Sequence, residues 1–228
     1  MATPSRRRPG GHDILHIEVP ARPRKRPRQQ RSVKLVEALV TAGWEILEKE
    51  GRAALSLEHV SDRSGVAVSS IYEYFPTMES LMGAIFVDYR LQARRRLLED
   101  LRALPPESSL FDGILLILRH GIVFLNTWAG IDRDFFMRSA HYEELVRLDM
   151  VKSENNWTSV VTDALMEKFS GEIVVTNRQR ARFLTFQTLL ALPRAMTLMQ
   201  PALLNEPDTP LLLARMVQAL LTTPDHLQ

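Results

Sequence analysis

The sequence lacks cysteine altogether among its 228 residues. Disulfides, thiolate metal sites and thiol catalysis are therefore excluded, and an intracellular protein fits this composition best. No uninterrupted apolar run approaches the roughly 20 residues that a membrane helix needs, so we expect no membrane span. Arg6–Arg8 is not followed by the apolar stretch of an export signal, because Asp13, His16 and Glu18 interrupt it.

The motifs of common enzyme classes are missing as well. There is no Gly-rich phosphate loop, no G-x-S-x-G elbow and no H-E-x-x-H pattern. Only His141, with Glu143 and Glu144 beside it and Asp132 and Asp134 nearby, suggests a metal site. A solvated polar helix face explains that group more simply. We therefore expect no catalytic site, no metal and no cofactor.

Charge is distributed unevenly, although the net charge of the chain is only +2. Residues 1–31 carry nine basic and two acidic side chains together with five prolines, and the remaining residues have a net charge of −5. This composition predicts a flexible basic arm over residues 1–31. Such an arm indicates a polyanionic partner, although charge alone favours nucleic acid no more than a solubilising tail.

Apolar residues recur at helical spacing through the rest of the chain, which predicts an all-α fold. Ser32 is the expected cap of the first helix, and Gly51 its expected end. Gly43 lies inside that helix at a cost of about 1 kcal/mol relative to alanine, which indicates a close helix crossing. Thr209 is the expected cap of the last helix, beginning at Pro210. The other helices are predicted over 57–64, 68–74, 77–99, 110–128, 132–150, 154–169 and 177–199.

The most informative stretch is residues 56–75, with the sequence SLEHVSDRSGVAVSSIYEYF. It predicts two short helices separated by a tight turn at Gly65. Because short helices are marginal alone, they must pack on each other and on the helix over 32–50. The result is a three-helix unit whose last helix is free to lie in a major groove of DNA.

This stretch resembles the DNA-binding segment of the TetR family of bacterial repressors. The resemblance covers residues 32–90 and rests on the pattern S-L-x-x-V-x-x-x-S-G-V-A-x-S-S-I-Y-x-Y-F-P-T-x-E-x-L. It implies a helix-turn-helix DNA-binding domain over 32–76 and a C-terminal helical ligand-binding and dimerisation domain over 77–228. Residues 77–99 would form the connecting helix between the two. The positions that match most specifically are Gly65, Val66, Tyr72, Tyr74, Phe75 and Leu81.

Three departures from the family pattern affect DNA binding. Ala67 replaces the serine that usually caps the recognition helix, Ser69 stands at a common glycine, and Met78 replaces a lysine that contacts phosphate. Residues 32–75 also hold four basic side chains against seven acidic ones. Phosphate neutralisation supplies much of DNA affinity, so we expect the arm to carry an unusually large share of it. The residues expected to do so are Arg22, Arg24, Lys25, Arg26, Arg28 and Arg31.

The resemblance also implies roles in the helix-turn-helix itself. Ser56 would face phosphate at the start of its helix, while Val68, Ser69 and Ser70 would face base edges. Tyr72 and Tyr74 would reach phosphate or, less often, a base. Core packing is the alternative for Tyr72, and for Phe75 it is the favoured role.

Aromatic residues concentrate in the body, and each of them has ordinary core packing as its default role. Their clustering nevertheless fits an apolar pocket for a small apolar or amphipathic ligand. Arg119, His120 and Asn126 are candidates for polar contacts with that ligand. The aromatic candidates are Phe124, Trp128, Phe135, Phe136, Trp157, Phe183 and Phe186.

Wide apolar stripes on the last two long helices exceed what one core needs. In the TetR family these helices pair with those of a second subunit, so the resemblance implies a homodimer with a two-fold interface. The residues expected at this interface are Leu189, Met196, Leu212, Met216 and Leu220.

Together these expectations describe a DNA-binding transcriptional regulator of the bacterial cytoplasm. The resemblance implies a homodimer that binds a palindromic double-stranded DNA operator and is released from it by a small molecule. Two alternatives remain open. One is a regulator controlled by a protein partner in place of a small ligand, and the other is an all-helical enzyme with an incidental turn motif.

Overall fold

The computed structural model describes residues 30–133, 135 and 157–224 of the chain. All regular structure within these residues is helical, which confirms the all-α fold. A single 3-10 turn at Arg52–Ala54 follows the first helix. Numbered along the described residues, the helices are α1 (Gln30–Glu50), α2 (Leu57–Ser64), α3 (Val68–Tyr74), α4 (Met78–Ala103), α5 (Leu110–Ile131), α6 (Trp157–Lys168), α7 (Arg178–Met199), α8 (Pro201–Leu204) and α9 (Thr209–Thr222).

The two ends of α1 follow from its sequence. The helix begins at Gln30, so its first turn includes the last two residues of the predicted arm. Gln30 and Arg31 are better helix formers than Ser32, which explains why the helix starts before the expected cap. It ends at Glu50, as predicted, because Gly51 adopts a φ of 83°, in the left-handed region that glycine enters without steric cost.

Reciprocal side-chain caps fix the starts of the two long central helices. Thr77 and Ser80 form a capping box at α4, which confirms Thr77 as its cap, and Ser109 and Asp112 form another at α5. The hydrogen bonds from the Ser109 hydroxyl and N–H to the Asp112 carboxylate lower the pKa of that group. Both helices therefore begin at positions that the local sequence specifies.

The start of α9 differs from the prediction. Thr209 is the first residue of this helix and not its cap, and Asp208 precedes it without a side-chain capping bond. The Thr209 hydroxyl instead donates to the Leu203 carbonyl oxygen at 2.5 Å. This bond reaches back to α8, a four-residue helix that the sequence analysis did not predict.

Helix α5 is the centre of the fold and contacts α4, α6, α7 and α9. By length and composition alone this helix could cross a membrane. The uninterrupted apolar runs of the sequence are too short to have predicted this. Its apolar face is used inside the protein, where Leu110, Ile114, Leu118, Leu125 and Trp128 are all buried. One face of the helix is therefore packed in the core.

Two apolar clusters make up the core of the described residues. One joins the C-terminal half of α4 to α5, α6, α7 and α9. The other joins α1, α2 and α3 to the N-terminal half of α4 and the C-terminal end of α5. The second cluster crosses the expected domain boundary at residue 76 without interruption. The first three helices therefore rest directly on the body.

Two glycines allow close helix crossings. A β-carbon at Gly43 in α1 would lie 2.5 Å from Ile85 Cδ1 in α4, which confirms the crossing expected there. A β-carbon at Gly113 in α5 would overlap the Phe169 ring and lie 2.9 Å from Leu165 Cδ1. Because an aromatic ring is stiffer than the end of an isoleucine side chain, the second contact is the stricter of the two.

Most predicted helix limits agree with the structure within a few residues. Helix α4 extends to Ala103, four residues beyond the predicted end, and stops before Pro105 and Pro106. The stretch 172–175 forms no regular structure, and its Val174 N–H donates to the Leu221 carbonyl oxygen at 3.1 Å. Nearly all of the helix predicted over 132–150 lies outside the described residues.

Gly113 provides a test of the packing between α5 and α6. We expect Gly113→Ala to lower the free energy of unfolding by about 1–3 kcal/mol, because the new methyl group overlaps the Phe169 ring. Gly121→Ala on the same helix is the matched control. Nothing lies within 4 Å of a β-carbon there, so it should gain about 0.5–1 kcal/mol from helix propensity. Urea denaturation measures both, and equal effects would contradict the packing argument.

Candidate DNA-binding site

Helices α2 and α3 form a pair that packs on α1. Val60 of α2 and Ile71 of α3 are fully buried, and they join Leu39 and Ile46 of α1 in one apolar cluster. Helices of 8 and 7 residues are marginal on their own, so this shared burial is what stabilises them. The three-helix unit that the sequence predicts is therefore present.

Local hydrogen bonds set the turn between α2 and α3. Ser56 Oγ accepts a hydrogen bond from the His59 N–H at 3.1 Å, which fixes the start of α2. Gly65 ends that helix with a φ of 70°, and Ser64 Oγ then accepts from the Val66 N–H at 3.2 Å. The structure thus confirms Ser56 as a cap and Gly65 as the end of α2.

Helix α3 presents a small polar surface. Its N-cap position is occupied by Ala67, which makes no side-chain hydrogen bond. Ser69 is exposed, Val68 and Ser70 are half-buried, and the Tyr72 side chain is 50% exposed. These four of the five residues expected at DNA on this helix therefore have surface available to a groove, and Tyr72 does not pack in the core.

The remaining two aromatic residues of this stretch are structural. Phe75 is fully buried, in agreement with the packing role that the sequence favours. The sequence predicts a DNA contact for Tyr74, whereas the structure places its side chain in the core, only 7% exposed. The reason is periodicity, because Ile71 and Tyr74 lie three residues apart on the buried face of α3.

Most cations of the three-helix unit are already paired with carboxylates. Of the four basic residues within 32–75, three form ion pairs. Only Lys34, which is exposed on α1, has no such partner in the part of the chain that the structure describes. The pairs and their N···O distances are Arg63–Glu50 at 2.7 Å, Lys49–Glu45 at 3.8 Å and Arg52–Asp132 at 3.0 Å.

The basic arm lies almost entirely outside the described residues. Of the six arm residues expected at DNA, Arg22, Arg24, Lys25, Arg26 and Arg28 fall in the part not described. Arg31 belongs to the first turn of α1, so it is held close to the three-helix unit. The phosphate contacts of the arm remain predictions.

An ion pair joins the three-helix unit to the body. Arg52 Nε donates to Asp132 Oδ2 at 3.0 Å, across 80 positions of sequence. Asp132 Oδ1 accepts from the Phe135 N–H at 2.8 Å, and the Asp132 N–H donates to the Trp128 carbonyl oxygen at 3.1 Å. Asp132 therefore links α5, the chain after it and the turn between α1 and α2. Sequence analysis missed this contact because no local pattern relates the two residues.

An aromatic cluster lies directly behind the three-helix unit. Trp128 is fully buried at its centre, with its ring centroid 4.7 Å from Phe86, 6.1 Å from Trp44 and 6.3 Å from Phe135. Its indole N–H is buried and has no acceptor among the described residues. A buried donor without a partner is rare and marks a place where a further acceptor would be stabilising.

Three of the predicted pocket residues, Phe124, Trp128 and Phe135, meet in this cluster. Phe124 lies 5.8 Å from Phe86, measured between ring centroids. The sequence analysis missed the rings that α1 and α4 contribute, because those helices were assigned to DNA binding and to the connection. The missed rings are those of Trp44, Phe86 and Tyr89.

Two further predicted pocket aromatics that the structure describes, Phe183 and Phe186, do not join the cluster. Phe183 is 59% exposed on α7, and Phe186 is buried without a ring contact to the described aromatics. Both lie on α7, which packs on α5 and on the apolar cluster that includes the C-terminal half of α4. The fold therefore keeps them apart from Trp128. Phe136 and the side chain of Trp157 lie outside the described part of the structure.

The three predicted polar contacts also face away from the rings. Arg119 is exposed on α5, and His120 Nε2 lies 3.0 Å from Asp100 Oδ2 of α4. Asn126 Nδ2 donates to Asn205 Oδ1 at 2.7 Å on the surface. Side chains on the polar face of α5 therefore bind neighbouring helices instead of lining a pocket.

Of the residues suggested as a metal site, Asp132 is the one that lies within the described part of the structure. Asp132 is used in the ion pair with Arg52, and His141, Glu143 and Glu144 lie outside the described residues. Across residues 30–133, 135 and 157–224, no group of three His, Asp or Glu side chains is arranged to hold a metal ion.

Helices α7 and α9 carry apolar residues that the single chain leaves exposed. Leu212 and Met216 are each 53% exposed, and Met199 is 76% exposed. Leu189 and Met196 are half-buried and pack against the core at the edge of this surface, and Leu220 is half-buried as well. Further exposed residues of the same helices are Leu184, Leu192 and Leu211.

The arrangement of α1, α2 and α3 is characteristic of one kind of protein. A capped pair of short helices rests on a third, and the second of the pair exposes small hydroxyl side chains and one tyrosine. These are the features of a helix-turn-helix DNA-binding protein, in which the second helix enters the major groove.

Comparisons with known proteins show which family the helix-turn-helix segment is similar to. The model of the bacterial regulatory proteins of the tetR family matches residues 39–85. A structure of a Mesorhizobium loti protein named as a TetR-family transcriptional regulator superposes with a TM-score of 0.56 at 18% identity, covering 85% of this chain and 96% of that one. RolR in complex with resorcinol gives a TM-score of 0.54 at 17% identity, with coverages of 84% and 89%. No curated protein sequence matches the chain.

The matched segment contains α2, α3 and parts of α1 and α4, which are the helices that form the site. The two superposed structures share the fold of nearly the whole described chain. Residues 39–85 therefore match the DNA-binding segment of the tetR family of bacterial regulatory proteins, and the chain shares the fold of these two structures.

The uncapped start of α3 can be tested directly. We expect Ala67→Ser to raise the free energy of unfolding by about 0.5–1 kcal/mol, because a serine hydroxyl can accept a hydrogen bond from the first turn. Ala53→Ser, at an exposed position of the 3-10 turn, is the matched control and should have no such effect. Urea denaturation of both variants measures the difference. An unchanged stability for Ala67→Ser would show that this helix start needs no cap.

Proposed function

We propose that the protein is a ligand-responsive repressor of the bacterial cytoplasm that acts as a homodimer and has no catalytic activity. The observation that carries the proposal is the continuity of one apolar core from α3 to the rings around Trp128. A ligand that changes the packing of these rings also changes the orientation of the reading helix. Two states that differ in this orientation differ in operator affinity.

The reading surface suits modest sequence discrimination. Ser69 and Ser70 hydroxyls can bond to several base edges, and Val68 methyl groups can contact a thymine methyl. Tyr72 reaches phosphate with its exposed hydroxyl, and the N-terminus of α2 at Ser56 faces the backbone of the duplex. A homodimer presents two such surfaces to a palindromic operator.

Affinity for phosphate is proposed to come mainly from the arm. The three-helix unit has an excess of acidic residues and uses three of its four cations in ion pairs. It therefore offers few cations to release counterions from DNA. Residues 22–31 hold six basic side chains and no acidic one, and they lead directly into α1.

The proposed ligand is a small apolar or amphipathic molecule beside the aromatic cluster. The Trp128 N–H offers a buried donor without an acceptor among the described residues, while Phe124 and Phe135 offer ring surface. Resorcinol, the ligand of RolR, combines an aromatic ring with hydroxyl oxygens that can accept such a bond. Phe136 and Trp157 remain part of this proposal on the strength of the sequence alone.

The proposed dimer interface is the apolar surface of α7 and α9. Leu212 and Met216 each have more than half of their surface exposed. Apolar surface left in water does not stabilise a single chain. Pairing with the same surface of a second copy buries these side chains around a two-fold axis. Leu189, Met196 and Leu220 lie at the edge of the interface.

Coupling between the proposed ligand site and DNA is assigned to Asp132. Its backbone continues the helix that carries Trp128, and its two carboxylate oxygens bind Phe135 and Arg52. The Asp132 side chain is 18% exposed and that of Arg52 is 35% exposed, so solvent screens the pair only in part. Movement of the rings is thereby passed to the turn before α2.

The DNA-binding function and the role of the arm can be tested in one titration. We expect saturable binding to the intergenic DNA upstream of the gene and weak binding to a scrambled duplex, measured by fluorescence anisotropy across a salt series. Deleting residues 1–28 should weaken binding strongly and reduce the salt slope by about 0.9 for each phosphate that the arm no longer neutralises. This deletion leaves α1 intact.

Deletion of residues 1–21 is the matched control, because it removes Arg6–Arg8 and retains the basic residues from Arg22 onward. It should keep most of the affinity. Equal binding to both duplexes would contradict sequence-specific regulation. Unchanged affinity after deletion of residues 1–28 would contradict the role of the arm.

The Arg52–Asp132 pair can be tested by a double-mutant cycle. We expect Arg52→Gln and Asp132→Asn each to change operator affinity by about fivefold, in the same direction, and the double variant to change it no further. Either substitution alone breaks the ion pair. Arg182→Gln is the matched control, since its 2.8 Å pair with Asp163 lies wholly within the body. Additive effects of Arg52→Gln and Asp132→Asn would show that the two residues are not coupled.

A further inference from the structure

A cleft of about 540 Å³ opens between α1, α4 and α5. It adjoins the aromatic cluster and shares Trp44 and Tyr89 with it, but Phe124, Trp128 and Phe135 do not line it. Its volume lies within the range of small-molecule sites, about 300–1,000 Å³. The cleft also lies where the DNA-binding helices meet the body, and both contribute residues to its lining.

Two aromatic rings form one side of the cleft. Trp44 of α1 and Tyr89 of α4 lie with ring centroids 4.4 Å apart and planes inclined by 32°. Both side chains are half-buried, so part of each ring remains accessible. Ile85 and Ile131 continue this apolar surface. The rings thus offer π-faces and apolar contact area to an occupant.

Carboxylates dominate the polar part of the lining. Glu45, Glu48 and Asp88 border the cleft against a single cation, Arg96, which gives the lining a net charge of −2 at neutral pH. Asp88 accepts a hydrogen bond from Gln92 Nε2 at 2.7 Å, and that bond leaves the negative charge in place.

The three carboxylates differ in how far they are already neutralised. Arg63 and Lys49 lie 3.6 Å and 3.8 Å from Glu45 and compensate its charge. Glu48 has no ion pair or hydrogen bond among the described residues. Glu48 on α1 and Asp88 on α4 are therefore the acids with charge available to an occupant, one on each of the two helices that carry the rings.

We propose that this cleft binds an organic cation, a protonated or quaternary amine attached to an apolar group. Aromatic faces attract a cation through the ring quadrupole, and nearby carboxylates add an ion pair. A carboxylate or phosphate ligand would be repelled by the net negative charge of the lining. A neutral ligand would form no ion pair with the acids. A bare metal ion is disfavoured, because the described acids do not converge as a metal-ligand group.

The position of the cleft gives the cation an effect on DNA binding. Ile85 lines the cleft and also fills the crossing at Gly43, where α1 and α4 approach most closely. An occupant that shifts Ile85 changes the angle between the three-helix unit and the body. This consequence rests on the proposed function, whereas binding of the cation does not.

Isothermal titration calorimetry of the full-length protein with benzyltrimethylammonium chloride tests the site without DNA. We expect saturable binding at least about tenfold tighter than that of benzyl alcohol, and none of phenylacetate. Glu48→Gln and Asp88→Asn should each weaken binding of the cation by about three- to tenfold. Both substitutions keep the side-chain shape, so the fold is retained.

Glu37→Gln on α1 and Glu99→Gln on α4 are the matched controls, since both acids are exposed on the same helices and outside the cleft. They should leave cation affinity unchanged. Absence of saturable binding, equal binding of benzyl alcohol, or unchanged affinity in the Glu48→Gln/Asp88→Asn double variant would overturn the proposal. Operator titration in the presence of the cation then reports separately on regulation, so failure of DNA binding leaves the binding result interpretable.

Discussion

Close packing of α1 against α4 governs how the DNA-binding helices are held on the body. Gly43 leaves room at this crossing, and the Ile85 side chain fills it. A β-carbon at position 43 would lie 2.5 Å from Ile85 Cδ1. Because the helices approach this far, the core beneath the reading helix continues to Trp128 at the end of α5. The DNA-binding unit is therefore oriented by side chains of the body and is not a free module on a linker.

Electrostatics adds a second constraint to the same region. The three-helix unit uses Arg63 to join α2 to α1, Lys49 in an exposed pair within α1, and Arg52 to hold the unit on Asp132. Redirecting Arg52 to phosphate would leave the Asp132 carboxylate, which is only 18% exposed, without its partner. This favours a division in which α3 supplies shape and base contacts while the basic arm supplies phosphate neutralisation.

The elements of the site could be predicted from sequence wherever the cause is local. Ser56, Gly65 and Thr77 set helix ends through hydrogen bonds and backbone angles within a few residues of themselves, and the structure confirms each. The prediction for Thr209 was wrong because its hydroxyl binds the Leu203 carbonyl, a contact that depends on α8. Four of the five predicted residues of α3 have exposed surface, whereas Tyr74 turns inward because the site for its ring is supplied by other helices.

The amino-acid sequence alone specifies that the chain is helical, where most helices begin and end, and that residues 56–75 form a helix-turn-helix. These properties follow from periodicity, caps and glycine backbone angles, which act over one or two turns. The folded arrangement of the helices sets which rings surround Trp128, that Arg52 binds Asp132, and that Glu48 and Asp88 face one cleft. Such pairings join residues far apart in the chain, and their geometry is set by helix crossing angles that no local pattern records.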